Sequence, residues 1–147
     1  MSRSIGAVLL FAVAAGMPVE AQQQARFVVR ATVPARVVLT IVEQPQVLSV
    51  SSDDVARGYK DVASRYRAES NAPDGWLLSL SKRLGVVQRV EVGGLATRLI
   101  LEHDSVEIFQ SPGVQSRDLE LEYRLVLGPG TRPGRYALPV HVSATAL

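Results

Sequence analysis

Apolar and polar residues alternate along most of the chain, most clearly in residues 118–127. Every second residue of that segment is apolar or aromatic: Leu119, Leu121, Tyr123, Leu125 and Leu127. The residues between them are mostly charged. Because successive side chains of a strand point to opposite faces, this pattern predicts a strand with one buried and one solvated face. No segment shows a convincing helical stripe, so an all-β chain is predicted.

A second alternating segment covers residues 135–144 and is predicted to be the last strand. Its expected inward residues are Tyr136, Leu138, Val140, Val142 and Ala144. Pro139 falls on the outward face. Since a proline cannot donate to a strand ladder, we expect this strand to lie at the edge of a sheet. Residues 128–134 are rich in glycine and proline and are predicted to form the preceding loop.

Shorter alternating segments upstream are bounded by residues typical of turns. The further predicted strands are residues 62–70, 76–80, 86–92, 95–101 and 106–109. Residues 71–75 form a predicted turn, and Gly93-Gly94 predicts a two-residue hairpin. Residues 53–58 are the one helical candidate, a single turn capped by Ser52 or Asp53. About eight regularly spaced strands predict an immunoglobulin-like β-sandwich of about 7–9 strands.

The first 21 residues have the three parts of a secretory signal peptide. Arg3 supplies a charged start, residues 5–17 form an uncharged apolar run, and Val19-Glu20-Ala21 ends the segment with a cleavage motif. The apolar run is shorter than the roughly 17–25 residues that span a bilayer. We predict a signal peptide at 1–21 and one exported domain at 22–147, in the periplasm or at the cell surface. We predict no membrane insertion after cleavage.

In the segment after the leader, every second residue from Phe27 to Ile41 is apolar, and this alternation continues without a shift through Pro34. It predicts a single long strand over residues 26–42, bent at the proline. Residues 22–33 are predicted to be an arm able to donate a strand. Its inward apolar residues are Phe27, Val29, Ala31 and Val33. Such an arm pairs either within its own domain or with a neighbouring molecule by strand addition. The sequence leaves both alternatives open.

Few residues suggest chemistry. His103-Asp104-Ser105 has the letters of a catalytic triad, but neighbours on an extended chain point in different directions. His141 has no fixed carboxylate companion. Asp53, Asp54 and Asp61 do not have the spacing of a calcium loop, and Arg57 and Lys60 would oppose a cation. We therefore predict no enzyme, no metal site and no cofactor, and we assign Trp76 to the core rather than to ligand stacking.

Composition narrows the class of partner. The chain has 147 residues, no cysteine and a formal charge of +2. The absence of cysteine excludes thiol catalysis and disulfides. Basic residues are spread thinly along the sequence, so no nucleic-acid partner is predicted.

Three stretches resemble bacterial exported pilin-like domains, the group that includes fimbrial subunits and spore-coat-U-like proteins. They are the leader followed by residues 31–35, residues 69–76, and residues 129–136. The chain departs from many members in lacking a cysteine pair and a tyrosine just before its C-terminus. The resemblance implies an incomplete or swapped immunoglobulin-like sandwich.

These observations together predict a non-catalytic, pilin-like, exported structural or adhesive subunit that acts through protein contacts. Self-association by strand addition is one of the two alternatives left open for its arm. The alternative is a periplasmic ligand-binding or accessory β-sandwich protein of the cell envelope.

Overall fold

The computed structural model describes residues 30–102 and 105–147. These residues contain ten strands and one short helix. In chain order they are β1 (Val37–Glu43), β2 (Val47–Val50), α1 (Ser52–Arg57), β3 (Tyr59–Ser70), β4 (Trp76–Lys82), β5 (Val87–Gly93), β6 (Leu99–Leu101), β7 (Ser105–Gln110), β8 (Gln115–Leu127), β9 (Gly134–Ala137) and β10 (Val140–Ala146). The predicted all-β class is confirmed. The predicted signal peptide lies outside the described residues.

The strands form a sandwich. One sheet has the order β1-β3-β8-β5-β6, a second has the order β10-β4-β7, and β2 and β9 form a separate ribbon. All pairings are antiparallel. The core is built from the inner faces of both main sheets, with Leu121 and Val90 from the first and Leu78 and Leu80 from the second fully buried. The elements belong to one compact unit, Val33–Leu147.

Strand β8 lies at the centre of the larger sheet and matches its sequence prediction closely. It pairs with β3 along almost its whole length and with β5 on the other side. The five predicted inward residues, from Leu119 to Leu127, are all buried. The hydrophobic alternation therefore identified the inner face correctly.

The last predicted strand is divided in two. Strand β9 pairs with β2, whereas β10 pairs with β4, so the chain changes sheet at Leu138 and Pro139. Pro139 is buried, and the prediction that it faces outward is wrong. Because it has no N–H to donate, a proline suits the break between two ladders. Its carbonyl accepts a hydrogen bond from the Arg83 N–H at 2.7 Å.

The predicted long strand at residues 26–42 is shorter than expected in its described part, residues 30–42. The strand begins at Val37, and residues 30–36 carry no strand. The physical reason lies at Arg36, whose backbone N–H and carbonyl are both bound by Asn71 of the β3–β4 turn. A side chain and a turn take the place of a neighbouring strand there.

Gly93-Gly94 is not a two-residue hairpin, because β5 ends at Gly93 and β6 begins only at Leu99. Gly94 has φ +85°, and a Cβ built on it would lie 1.8 Å from the Glu120 carbonyl oxygen. The glycine therefore permits a close approach to the backbone of β8, rather than a tight turn.

The helical turn is confirmed, with its cap one residue earlier than predicted. Ser51 is the N-cap, and its hydroxyl accepts a hydrogen bond from the Asp54 N–H, while the Asp54 carboxylate accepts one from the Ser51 N–H. This is a capping box. Strand β2 was not predicted, although Leu48 and Val50 are both buried.

Candidate interaction site

One margin of the sandwich has two strands that are each paired on a single side. Strand β10 pairs only with β4, and β1 pairs only with β3, within the part of the chain that the structure describes. The two strands contact each other across this margin, which we call the β1/β10 edge. In an antiparallel strand, every second residue points its N–H and C=O away from its partner. The edge therefore presents backbone groups that a further strand could bind.

Apolar side chains along the β1/β10 edge are only half covered. Val37 and Leu39 of β1 and Val142 and Ala144 of β10 pack against the core but remain partly exposed. Ile41 has the same parity as Val37 and Leu39 and is 60% exposed. We call these five residues the apolar strip. It places hydrophobic side chains beside open backbone, which is the combination that strand addition requires.

Asn71 fixes the chain at the start of this edge. Its side-chain oxygen accepts a hydrogen bond from the Arg36 N–H at 2.7 Å, and its side-chain nitrogen donates to the Pro34 carbonyl at 3.2 Å. The Asn71 N–H also donates to the Arg36 carbonyl at 3.1 Å. The sequence showed Asn71 only as a turn residue, because its partners lie more than thirty positions away along the chain.

The structure describes half of the predicted arm residues. Phe27 and Val29 lie outside the described residues. Ala31 and Val33 are exposed, Val33 at 75%, and neither lies in a strand. The apolar row predicted to face inward is therefore uncovered at both of its described positions.

Two of the four residues considered for catalysis or metal binding lie in the described part of the chain. Ser105 begins β7, whereas His103 and Asp104 lie outside the described residues. His141 is exposed on β10, opposite Ser81.

The three aspartates weighed for calcium have separate surroundings. The Asp54 carboxylate is buried and contacts Ser51, Arg57 and Lys60. These hydrogen bonds, first that from the Ser51 backbone, hold the pKa of Asp54 well below its ordinary value. Asp61 instead accepts two hydrogen bonds from Arg124 on β8. Among the described residues, no group of three metal-ligating side chains is found.

Trp76 is 1% exposed at the start of β4, so the prediction of a core tryptophan is confirmed. Beyond it, the interior contains a tyrosine pair. The hydroxyl groups of Tyr66 and Tyr123 lie 3.3 Å apart, and burial raises the pKa of Tyr123 far above its ordinary value. Both side chains are closed off from solvent, so the pair acts in packing.

The opposite margin of the sandwich carries a groove between the β5–β6 loop and β7. Its volume is about 510 Å³. Leu95, Leu99, Val106 and Ile108 supply half-buried apolar walls. Arg117 lies beside it and donates to the Gln110 side chain. Its half-buried apolar walls offer contacts to a small apolar ligand.

Comparison of the chain with family models, curated proteins and solved structures finds no match. The one helix of the described residues, α1, has six residues, and no described helix has the length and apolarity needed to cross a bilayer.

Proposed function

We propose that this protein is a non-catalytic exported structural or adhesive subunit that acts through protein contacts. The observation that carries the proposal is the β1/β10 edge, where two strands that are each paired on one side among the described residues border a half-buried apolar strip. Exposed edges of this kind are a hazard unless something covers them. A strand received from a neighbouring subunit covers the edge, which prevents uncontrolled aggregation and joins the two subunits.

The proposed occupant is the segment from Phe27 to Val33 of a second copy. It alternates apolar residues with a strand period, so one face can cover the apolar strip while its backbone pairs with β10. Each of its larger apolar side chains gains about 1.5–3 kcal/mol when fully buried. Because Val33 is exposed on its own chain, it is free to contribute.

The anchor at Asn71 supports donation to a neighbour. It holds Pro34 and Arg36 against the β3–β4 turn, so the arm leaves from a fixed point of the domain. A fixed exit lowers the conformational entropy that the arm loses on docking. The leader predicted at residues 1–21 supports the exported location of this assembly.

Deleting residues 22–33 from the mature chain tests the proposal. We expect the truncated domain to stay folded and monomeric, and the parent to self-associate in sedimentation velocity. A peptide of residues 26–34 should bind the truncated domain, whereas the same peptide with Val29→Asp and Ala31→Asp should not. An unfolded truncated domain would mean that the arm completes its own sandwich. A parent that stays monomeric at high concentration, with amides 27–33 protected from exchange, would also contradict the proposal.

A ligand-binding role is the second candidate, and the groove beside β7 favours it. Under this role, an apolar ligand would contact Val106 and Ile108, and Ile108→Asp would abolish its binding without changing self-association. Titration with an apolar fluorescent probe distinguishes the two roles. Probe binding lost in Ile108→Asp supports the groove, and binding lost on peptide addition assigns the probe to the β1/β10 edge.

A further inference from the structure

Basic residues that are far apart in the sequence lie on neighbouring segments at one end of the sandwich. Lys82 and Arg83 lie where β4 turns into β5, and Arg132 and Arg135 lie in and after the β8–β9 loop. Arg83, Leu84 and Tyr136 line one small surface hollow, which places the β4–β5 turn beside β9. The four cations are thus dispersed in the sequence but lie on neighbouring segments of the fold. We call Lys82, Arg83, Arg132, Arg135 and Leu84 the basic tip.

Hydrogen bonds hold the two loops in place. The Arg83 N–H donates to the Pro139 carbonyl at 2.7 Å, and the Gly128 N–H donates to the Val86 carbonyl at 2.7 Å. The Thr131 hydroxyl also donates to this region, with the Val86 carbonyl at 3.2 Å. The Tyr136 hydroxyl donates to the Arg132 carbonyl at 2.7 Å. These hydrogen bonds fix the backbone of the basic tip at several points.

The charge of the basic tip is not neutralised within the described residues. None of its four cations forms an ion pair there, although the Lys82 ammonium donates to the Gln88 carbonyl. Glu102, a nearby acid, shares a separate hollow with Arg89. The whole chain has a formal charge of +2, so the four cations exceed it and the remaining residues are net acidic. The four cations therefore bring positive charge to this end without an ion-pair partner among the described residues.

Leu84 decides which anionic partner fits. It follows Arg83 at the β4–β5 turn and is 91% exposed, the most exposed of the large apolar side chains described. A nucleic acid or an acidic peptide offers its charges without a hydrocarbon layer beneath them. An anionic bilayer offers both, because phosphate groups lie above acyl chains. Arginine and lysine stems can reach those phosphates while the leucine enters the boundary below.

We propose that the basic tip docks on the surface of an anionic lipid bilayer, with Leu84 entering the interface and the four cations contacting headgroup phosphates. This docking is peripheral and reversible. It goes beyond the strand-addition proposal and uses none of the residues of the β1/β10 edge. The truncated domain without residues 22–33 should therefore bind bilayers as its parent does.

Co-sedimentation of the mature protein with phosphatidylcholine vesicles, with and without phosphatidylglycerol, tests the proposal. We expect binding only to the anionic vesicles, and weaker binding at high salt. Each cation removed should cost about fivefold in affinity, so Arg83→Gln with Arg132→Gln and Arg135→Gln should cost on the order of a hundredfold. The matched control, Arg36→Gln with Arg98→Gln and Arg117→Gln, removes the same charge elsewhere and should bind nearly as the parent does.

Substitutions of Leu84 distinguish binding to a bilayer from binding to other polyanions. Leu84→Ser should weaken vesicle binding and leave heparin binding unchanged, and the emission of Leu84→Trp should shift to the blue on anionic vesicles. Equal losses in the two arginine triples would overturn the proposal. So would vesicle binding that is unaffected by Leu84→Ser, which would indicate a general polyanion site. Unchanged melting temperatures would show that these exposed substitutions leave the fold intact.

Discussion

Strands β8 and β10 have the same alternating sequence pattern and different surroundings. β8 has a paired strand on each side, and its inner residues from Leu119 to Leu127 are buried. Within the described residues β10 pairs only with β4, and its inner residues Val142 and Ala144 remain partly exposed. Alternation reports which face of a strand turns inward, because it depends on the local backbone alone. It does not report whether both edges of the strand are covered, which depends on other parts of the chain.

The difference separates stability from interaction in this sandwich. The centre of the larger sheet and the facing strand β4 enclose the core, whereas the β1/β10 edge leaves part of its apolar surface open. We therefore expect substitutions near β8 to change the free energy of unfolding, and substitutions on the β1/β10 edge to change association.

The largest expected effect concerns Trp76, at the start of β4. Trp76→Ala should lower the free energy of unfolding by about 3–5 kcal/mol, the usual cost of emptying a large core site. Urea denaturation measures it. A parent with red-shifted tryptophan emission, or a variant with an unchanged transition midpoint, would show that the side chain is exposed in solution.

A matched pair compares the two strands directly. Leu121→Ala on β8 should cost about 2–5 kcal/mol, because it leaves a cavity among buried side chains. Val142→Ala on β10 should cost about 1 kcal/mol, since its two methyl groups are already partly in water. Under the strand-addition proposal, the self-association constant should fall for Val142→Ala. Equal unfolding costs for the pair would contradict the distinction between centre and edge.

A pH dependence is expected at the end of β8, where the Leu127 N–H donates to the carbonyl of Gly58, the residue that caps α1. The pKa of Asp54 in that helix is lowered from its ordinary 3.8. Its ionised form therefore stabilises the fold above about pH 3.8, and this contribution is lost as the pH falls through the lowered pKa. Asp54→Asn should be less stable than the parent at pH 7, and the difference should shrink in more acidic solution. A difference that stays constant with pH would contradict it.

The smallest effect is expected on the outer face of β8. The Arg67 guanidinium donates two hydrogen bonds to the Asp118 carboxylate there, at 2.8 and 3.3 Å. These hydrogen bonds raise the pKa of Arg67 and lower the pKa of Asp118. Both side chains are well exposed, so solvent and salt screen their attraction. A double-mutant cycle with Arg67→Gln and Asp118→Asn should give a coupling close to the limit of measurement. A large coupling would mean that charge pairing, rather than burial, distinguishes β8 from β10.

Much of the fold could be predicted because it depends on neighbouring residues. The inner faces of β3, β4 and β8 follow from period-two alternation, and the turn at residues 71–75 follows from its proline and glycine. Less of the candidate site could be predicted from the sequence. The arm was recognised by its pattern, but the anchor at Asn71 was not, because its hydrogen bonds join the turn to a distant segment. The change of sheet at Pro139 was not predicted for the same reason. One alternating segment, residues 135–144, contributes to two strands that pair with different partners.

By itself, the sequence determined the all-β class, the inward residues of most strands, the buried position of Trp76 and the absence of thiols. These are consequences of local backbone geometry, side-chain hydrophobicity and composition. Only the tertiary structure decided that β1 and β10 border one open margin, and that the segments carrying Lys82, Arg83, Arg132 and Arg135 are neighbours at one end. The physical reason is that edges and clusters are properties of neighbours in space, and long-range pairing brings together residues that the chain itself keeps apart.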